Sequence, residues 1–374
     1  MSTILPAFAA GERWLADVLT SAFASTSGSE NRLQLPRSRR TVVVLVDGLG
    51  AENLSAHRAH ARTLASLKRT VNVGNFPSTT ASALATFATG ADPGETGMVG
   101  YAVRNPATGA IVNQLSGLDD LDATSWQPIQ TVWERVPAAA DGTLNKLIVS
   151  AERYRGSGLT AAVLRGAPYI GANTHAQRLE QVSAFLSQAS SGVVYVYIPE
   201  LDQAAHQFGV NSDQWVGRLE ELDGFVADLL RVIGPKDGVI LTADHGVLDV
   251  PAVKHRIVPA NSDLLRDVTT GGEPRFLHLY SDRDADELAA VWREAEGDVA
   301  WVATRDEAIN AGWFGVVTVE HRSRIGDVLV TPKGVAVYYD ERTATGNSMA
   351  MIGQHGGLSR TETHVPIVFG GVFG

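Results

Sequence analysis

Residues 41–48 read Thr-Val-Val-Val-Leu-Val-Asp-Gly. A short, unbroken, β-branched run that stops on Asp-Gly offers water no polar face, so it predicts a strand covered on both sides, as in a parallel sheet. The same texture returns at residues 193–198, 239–242 and 365–370. Between the second and third runs, residues 211–233 open with Asn-Ser-Asp, place Trp215, Leu219, Leu222, Val226 and Leu229 at helical spacing, and are followed by Gly234-Pro235. Strand, helix, strand calls for a right-handed crossover. The expected fold class is α/β, a doubly wound, mostly parallel central sheet with helices on both faces. Residues 158–164 are expected to add a further strand.

Outward from these runs the texture changes. Residues 24–40 are polar, rich in Ser and end in a basic run, which reads as a solvated lead-in to the first strand. From about residue 250 to 350 come an apolar stretch at 276–280, helical patterns at 284–296 and near 305–311, and a hairpin-like stretch at 327–339. The expected organisation is a catalytic core over residues 1–250 and 351–374, interrupted at 251–350 by a small α+β cap insertion. No internal repeat or low-complexity tract appears.

Composition bounds the chemistry. With 374 residues, 44% hydrophobic and 19% charged, the chain is long enough for a large α/β core and an insertion. Its 31 Lys and Arg against 41 Asp and Glu leave a net charge of −10, so no broad field attracts nucleic-acid phosphates or anionic lipid, and neither partner is expected. An anionic substrate therefore needs something local to hold it. There is no cysteine, which removes disulfides, thiolate metal sites, cysteine nucleophiles and formylglycine made from cysteine. The first residues carry no basic start and meet Glu12, Arg13 and Asp17 before any long apolar run, so they read as an amphipathic opening segment. No stretch approaches the ~20 apolar residues of a membrane span, and the cytoplasm is the default compartment.

In open α/β sheets ligands bind beyond the carboxyl ends of the strands. Asp47 follows the first run, Asp202 follows the second within a turn, and Asp244-His245 follow the third. His206 stands four residues after Asp202, one helical turn on, and His355 sits in the Gly-rich stretch at 353–357 before the last run. Singly, each has an ordinary explanation as a turn residue, an N-cap or a satisfied histidine. Together, three Asp and three His at strand ends read as two mixed nitrogen and oxygen metal sites, a donor set that suits zinc or manganese. Residues 75–80 (Asn-Phe-Pro-Ser-Thr-Thr) precede an alanine-rich helix ending at Gly90. A hydroxyl at that N-terminus would face any bound phosphate, unless it serves only as an N-cap.

The ordered set Val-Asp-Gly, Thr-Thr with the later Ala-Thr-Gly, Pro-Glu-Leu-Asp with its His, Ala-Asp-His-Gly and Gly-Gln-His-Gly-Gly resembles the alkaline phosphatase superfamily. Within it, the chain looks most like the nucleotide pyrophosphatase/phosphodiesterase branch and its phosphonoacetate hydrolase relatives. The resemblance runs from Asp47 to His355. It implies a nucleophilic threonine nine residues before the Thr of the Thr-Gly pair; Thr89-Gly90 points back to Thr80, with Thr79 the alternative. It implies two zinc ions, with manganese as the other option, one held by Asp202, His206 and His355 and the other by Asp47, Asp244, His245 and the Thr80 oxygen. One departure is plain. The branch has an asparagine twenty-one residues after the nucleophile to help hold a phosphoryl oxygen, and here that position is Tyr101.

The expected activity is a metal-dependent phosphodiesterase or nucleotide pyrophosphatase working through a phosphothreonine intermediate, with a small phosphodiester or nucleotide as substrate. Two divalent ions would be offset by three aspartates and a threonine alkoxide, which favours a monoanionic diester. The alternatives are a phosphonate hydrolase or phosphomonoesterase on the same scaffold, or an inactive metal- or nucleotide-binding relative. A sulfatase is disfavoured, because no Cys or Ser followed by x-Pro-x-Arg lies near Thr80. Relatives use insertions at 251–350 to select the leaving group, which makes Trp313, Phe314, His321, Arg322 and Arg324 candidate substrate contacts; otherwise they are a packed subdomain with a basic edge. The sequence leaves the oligomeric state open.

Overall fold

The computed structural model describes residues 4–8, 14–138 and 145–374. In chain order its longer helices and the strands of its two larger sheets are α1 (Leu15–Ser27), β1 (Arg40–Val46), β2 (Lys68–Val73), α2 (Thr80–Thr89), β3 (Lys146–Ser150), β4 (Tyr169–Gly171), α3 (His175–Gln188), β5 (Gly192–Ile198), α4 (Glu200–Phe208), α5 (Asp213–Val232), β6 (Gly238–Ala243), β7 (Val268–Glu273), β8 (Phe276–Ser281), α6 (Ala285–Glu296), β9 (Ala300–Thr304), α7 (Arg305–Asn310), β10 (Val328–Pro332) and β11 (His364–Gly371).

Among the described residues, seven strands form the main sheet in the order β2-β11-β6-β1-β5-β3-β4. β1 runs parallel to both β5 and β6, and β3 runs parallel to β5 and β4. The two faces of β1 explain its unbroken apolar run. Val43 and Leu45 pack on one side with Leu84 and Phe87 of α2 and Trp133, while Val42, Val44 and Val46 pack on the other with Trp215, Leu219 and Phe225 of α5. Each face buries a hydrophobic layer, so no residue of the run is left for water.

β11 has the expected apolar texture but runs antiparallel to both β2 and β6. The chain reaches it from the His355 loop, already at the carboxyl end of the sheet, so it can only run back down. Residues 158–164 form no strand. Gly158–Val163 is a short helix whose N-cap, Ser157, accepts from the Thr160 N–H, and a brief apolar run fits either period until such a cap decides it. The sheet continues beyond β5 instead with β3 and, at the edge, β4.

The opening segment is a helix over Leu15–Ser27 that buries Leu15, Val18, Leu19 and Ala22. Glu12 and Arg13, on which its reading also rested, lie outside the described residues. Within 251–350, β7, β8, β10 and β9 make a four-stranded antiparallel sheet in that order, backed by α6 and cored by Leu279, Trp292, Val302 and Val330. The hairpin expected over 327–339 does not form. β10 pairs with β8 and β9, whereas Val337–Asp340 pairs in parallel with His255–Val258.

Candidate metal centre and active-site chamber

Three adjacent strands of the sheet, β6, β1 and β5, deliver the central carboxylates. Asp47 follows β1, Asp244 and His245 follow β6, and Asp202 lies in the first turn of α4, just after β5. Gly48 lets two of them meet. Its φ is +75°, and a Cβ there would lie 3.0 Å from that of Asp202, so a side chain would be both strained and crowded.

Asp244 Oδ1 accepts from the backbone N–H groups of Gly48 (3.1 Å) and His245 (3.0 Å). Asp47 Oδ2 accepts from the Tyr197 hydroxyl. These contacts hold one oxygen of each carboxylate and leave the other without a partner: Asp47 Oδ1, Asp244 Oδ2 and, on α4, Asp202 Oδ1 are all orphaned. Asp244 is wholly buried, and Asp47 and Asp202 are only 6% and 8% exposed. Buried oxygens without donors call for a cation.

The histidines are turned to suit. Nδ1 of His206, His355 and His245 faces the carbonyls of Gly353 (2.8 Å), Ser78 (2.9 Å) and Gly246 (3.3 Å). A carbonyl can only accept, so each Nδ1 carries the proton and each Nε2 keeps a lone pair for the centre. His206 Nε2 is 3.2 Å from Asp202 Oδ2, and His245 Nε2 is 3.4 Å from Asp47 Oδ1. The rings of His245 and His355 stack at 3.7 Å. Donor atoms of Asp202, His245 and His355 form one tight group and those of Asp47, Asp244 and His245 another, each within 4.8 Å. The residues fit divalent ions. His206 stands beside the first group, with its ring 5.1 Å from that of His355.

The electrostatics fit a centre suited to cations. Burial, with Asp244 and Asp202 adding repulsion, pushes Asp47 well above the usual carboxylate range. Burial and then Asp202 lift Asp244 to about 6. Burial also acts on Asp202, but His206, His355 and His245 outweigh it and hold that carboxyl low. Burial drives His245 down to about 4, and burial with the neighbouring His245 takes His355 to about 3. For His206 the attraction of Asp202 overcomes burial and raises it.

Thr80 opens α2. Thr79 occupies the N-cap position with φ −128° and ψ 141°, yet its side chain does not cap. The Thr80 hydroxyl lies 3.2 Å from His245 Nε2, against the second donor group. Asp47, Thr80, Tyr101, Asp202, His206 and His355 all border one chamber of about 450 Å³, with Asp244 and His245 buried beneath it. Leu84, Leu115, Leu159 and Val163 and the rings of Tyr154 and Tyr195 make the rest of the wall largely apolar, and among the described residues no Lys or Arg borders it.

Of Trp313, Phe314, His321, Arg322 and Arg324, expected as substrate contacts or as a packed subdomain with a basic edge, four are packed inside the protein and Arg322 lies at the surface, and none of the five borders the chamber. Trp313 and Phe314 are wholly buried around Phe276. His321 is buried too, with Nδ1 3.1 Å from the Thr318 hydroxyl. Arg324 donates to the carbonyls of Gly97 and Trp126, and Arg322 pairs with Asp306 at the surface. Two groups in the chamber had no voice in the sequence. Tyr197 alternates with Tyr195 along an apolar strand and reads as core, and Glu273, contributed by β7, sits in a Gly-Gly-Glu-Pro turn that signals only a turn.

The sequence profile of the Type I phosphodiesterase / nucleotide pyrophosphatase family matches residues 41–358. The chain belongs to that family. It is thus a hydrolase of phosphoester bonds, on the fold of the alkaline phosphatase superfamily. No curated protein sequence gives a match. Among solved structures the phosphodiesterase fold is shared by human ectonucleotide pyrophosphatase/phosphodiesterase 5, at 15% identity, TM-score 0.67, and coverage of 88% of this chain and 87% of that one. An inactive form of the murine counterpart, in complex with AMP, gives 14% identity, TM-score 0.66, and coverage of 88% and 87%. Phosphonoacetate hydrolase from Sinorhizobium meliloti 1021, in complex with phosphonoacetate, gives 18% identity, TM-score 0.66, and coverage of 90% and 91%.

Proposed function

We propose that this phosphodiesterase-family hydrolase cleaves small phosphodiesters or nucleotide phosphoanhydrides with Thr80 as nucleophile, at two divalent ions, zinc or manganese. The observation that carries this is the Thr80 hydroxyl at the mouth of a helix, 3.2 Å from His245 and beside three orphaned carboxylate oxygens. Asp202, His206 and His355 are assigned to one ion, and Asp47, Asp244 and His245, with the Thr80 oxygen, to the other. When bound, the ions would supply Lewis-acid charge that favours the Thr80 alkoxide and the departing oxygen.

Thr80 Oγ forms a bond to phosphorus as the bond to the leaving oxygen breaks. Water then replaces Thr80, which regains its proton. Two in-line displacements give net retention at phosphorus. Backbone N–H groups at the start of α2 and the Tyr101 hydroxyl are the groups placed to orient the phosphoryl oxygens. The insertion at 251–350 acts as a cap that shapes the chamber through Glu273, Pro274 and Ser348.

Phosphonate or phosphomonoester hydrolysis on the same scaffold is the second reading, favoured by the structural likeness to phosphonoacetate hydrolase. A dianion, however, finds no Lys or Arg among the described residues of the chamber wall. The test is metal depletion followed by titration with zinc or manganese while hydrolysis of bis(p-nitrophenyl) phosphate is recorded. Activity that returns with metal, and needs more of it in His206→Ala, supports the assignment; activity indifferent to chelation contradicts it.

A further inference from the structure

Glu273 has no part in the chemistry above, yet it stands on the chamber wall. It ends β7 in the Gly-Gly-Glu-Pro turn and is 7% exposed, and its Oε1 has no hydrogen-bond partner. Burial raises this carboxyl, and the Thr79 hydroxyl and the Tyr101 N–H pull it partly back. Gly356 makes room for this side chain. Its φ is +119°, and a Cβ there would fall 2.4 Å from the Glu273 carboxyl carbon.

Glu273 also borders a second, outer cavity of about 560 Å³, and it shares the divide between the two cavities with Tyr101, Pro274 and Ser348. Among the described residues no Lys or Arg borders the chamber, and Arg342 in the outer cavity is taken by Asp340 at 2.7 Å. Two divalent ions would be matched by Asp47, Asp202, Asp244 and a Thr80 alkoxide, which leaves a Glu273 carboxylate without a counterpart. A buried carboxylate in that condition is costly unless something cationic arrives with the substrate. An anionic substituent has no hydrogen to offer, and a hydroxyl has one. An ammonium has three, and a positive charge to set against the Glu273 carboxylate.

We propose that Glu273 forms a subsite on the chamber wall for a primary ammonium group on the substituent that phosphorus retains, so that the enzyme favours aminoalkyl phosphodiesters. The substrate preference rests on the phosphodiesterase reading; the subsite itself does not. Calorimetric titration of the zinc-loaded protein with 2-aminoethyl phosphate, 2-hydroxyethyl phosphate and ethyl phosphate tests it. The aminoethyl compound should bind about tenfold or more tighter than the ethyl compound, with the hydroxyethyl compound between. Glu273→Gln, which keeps shape and removes charge, should bring that ratio to within about threefold. Equal binding of the three compounds, binding of none, or a preference that survives in Glu273→Gln would overturn the subsite. Turnover of bis(p-nitrophenyl) phosphate is followed separately. Its absence would remove the reaction assigned above and leave the binding ratios to decide the subsite.

Discussion

Thr80 is the side chain on which most depends. Replacement by Ala removes the only atom assigned to attack phosphorus, so steady-state hydrolysis of an aryl phosphodiester should fall by about 10³-fold or more, while Ser should keep a measurable part of it. Hydrolysis of a phosphodiester made chiral at phosphorus should proceed with retention; inversion would mean direct attack by water. Glu273 gives a different signature. Burial lifts its carboxyl from 4.5 to about 8, so the folded, metal-free protein binds this proton more tightly than the unfolded chain does. Its stability contribution is therefore full below about 4.5 and is lost as pH rises through about 8. Denaturant titrations should show Glu273→Gln gaining on the wild type across that window and the difference levelling above it. At this scale the sequence was readable where candidate ligands stand at strand ends, as Asp47 and Asp244 do directly and Asp202 does in the helix turn that follows. It was silent on Glu273, because what puts that carboxyl in the chamber is the seating of a distant sheet.

The seating of that sheet is itself a matter of elements. Arg275, at the turn between β7 and β8, forms a wholly buried pair with Glu362 at 2.6 Å and donates to the carbonyls of Gly334 and Ala336. Glu362 also accepts from the Gly357 N–H, so the pair ties the insertion to the loop that carries His355. Arg275→Met leaves that carboxylate buried and alone. Chemical denaturation should show a loss of about 3–5 kcal/mol, and a loss below about 1 kcal/mol would mean that water reaches Glu362. The strands that carry the site were legible because β1, β5 and β6 are buried on both faces and read as apolar runs. β2, which reads Lys-Arg-Thr-Val-Asn-Val and is largely exposed, and the three-residue β4 carry no such pattern. The helix at Gly158–Val163 was misread because its N-cap, rather than its periodicity, decides it.

Over the whole molecule, the sheet brings residues from 47 to 355 to one chamber, and the acidic balance of −10 places the burden of attracting an anion on that chamber alone. Among the described residues no helix is long and apolar enough to cross a membrane. Ions that bind the folded chain and not the unfolded one must raise its melting temperature. Chelation should lower the midpoint of the zinc-loaded protein and zinc should restore it, whereas in Asp244→Asn the zinc-dependent rise should shrink. The central claim, a metal-dependent phosphodiesterase with Thr80 as nucleophile, is tested most directly by one comparison. Zinc-loaded wild type and Thr80→Ala are each given bis(p-nitrophenyl) phosphate and p-nitrophenyl phosphate. The account predicts a clear preference for the diester that disappears in the variant; a preference for the monoester, or diester hydrolysis that Thr80→Ala retains, would contradict it.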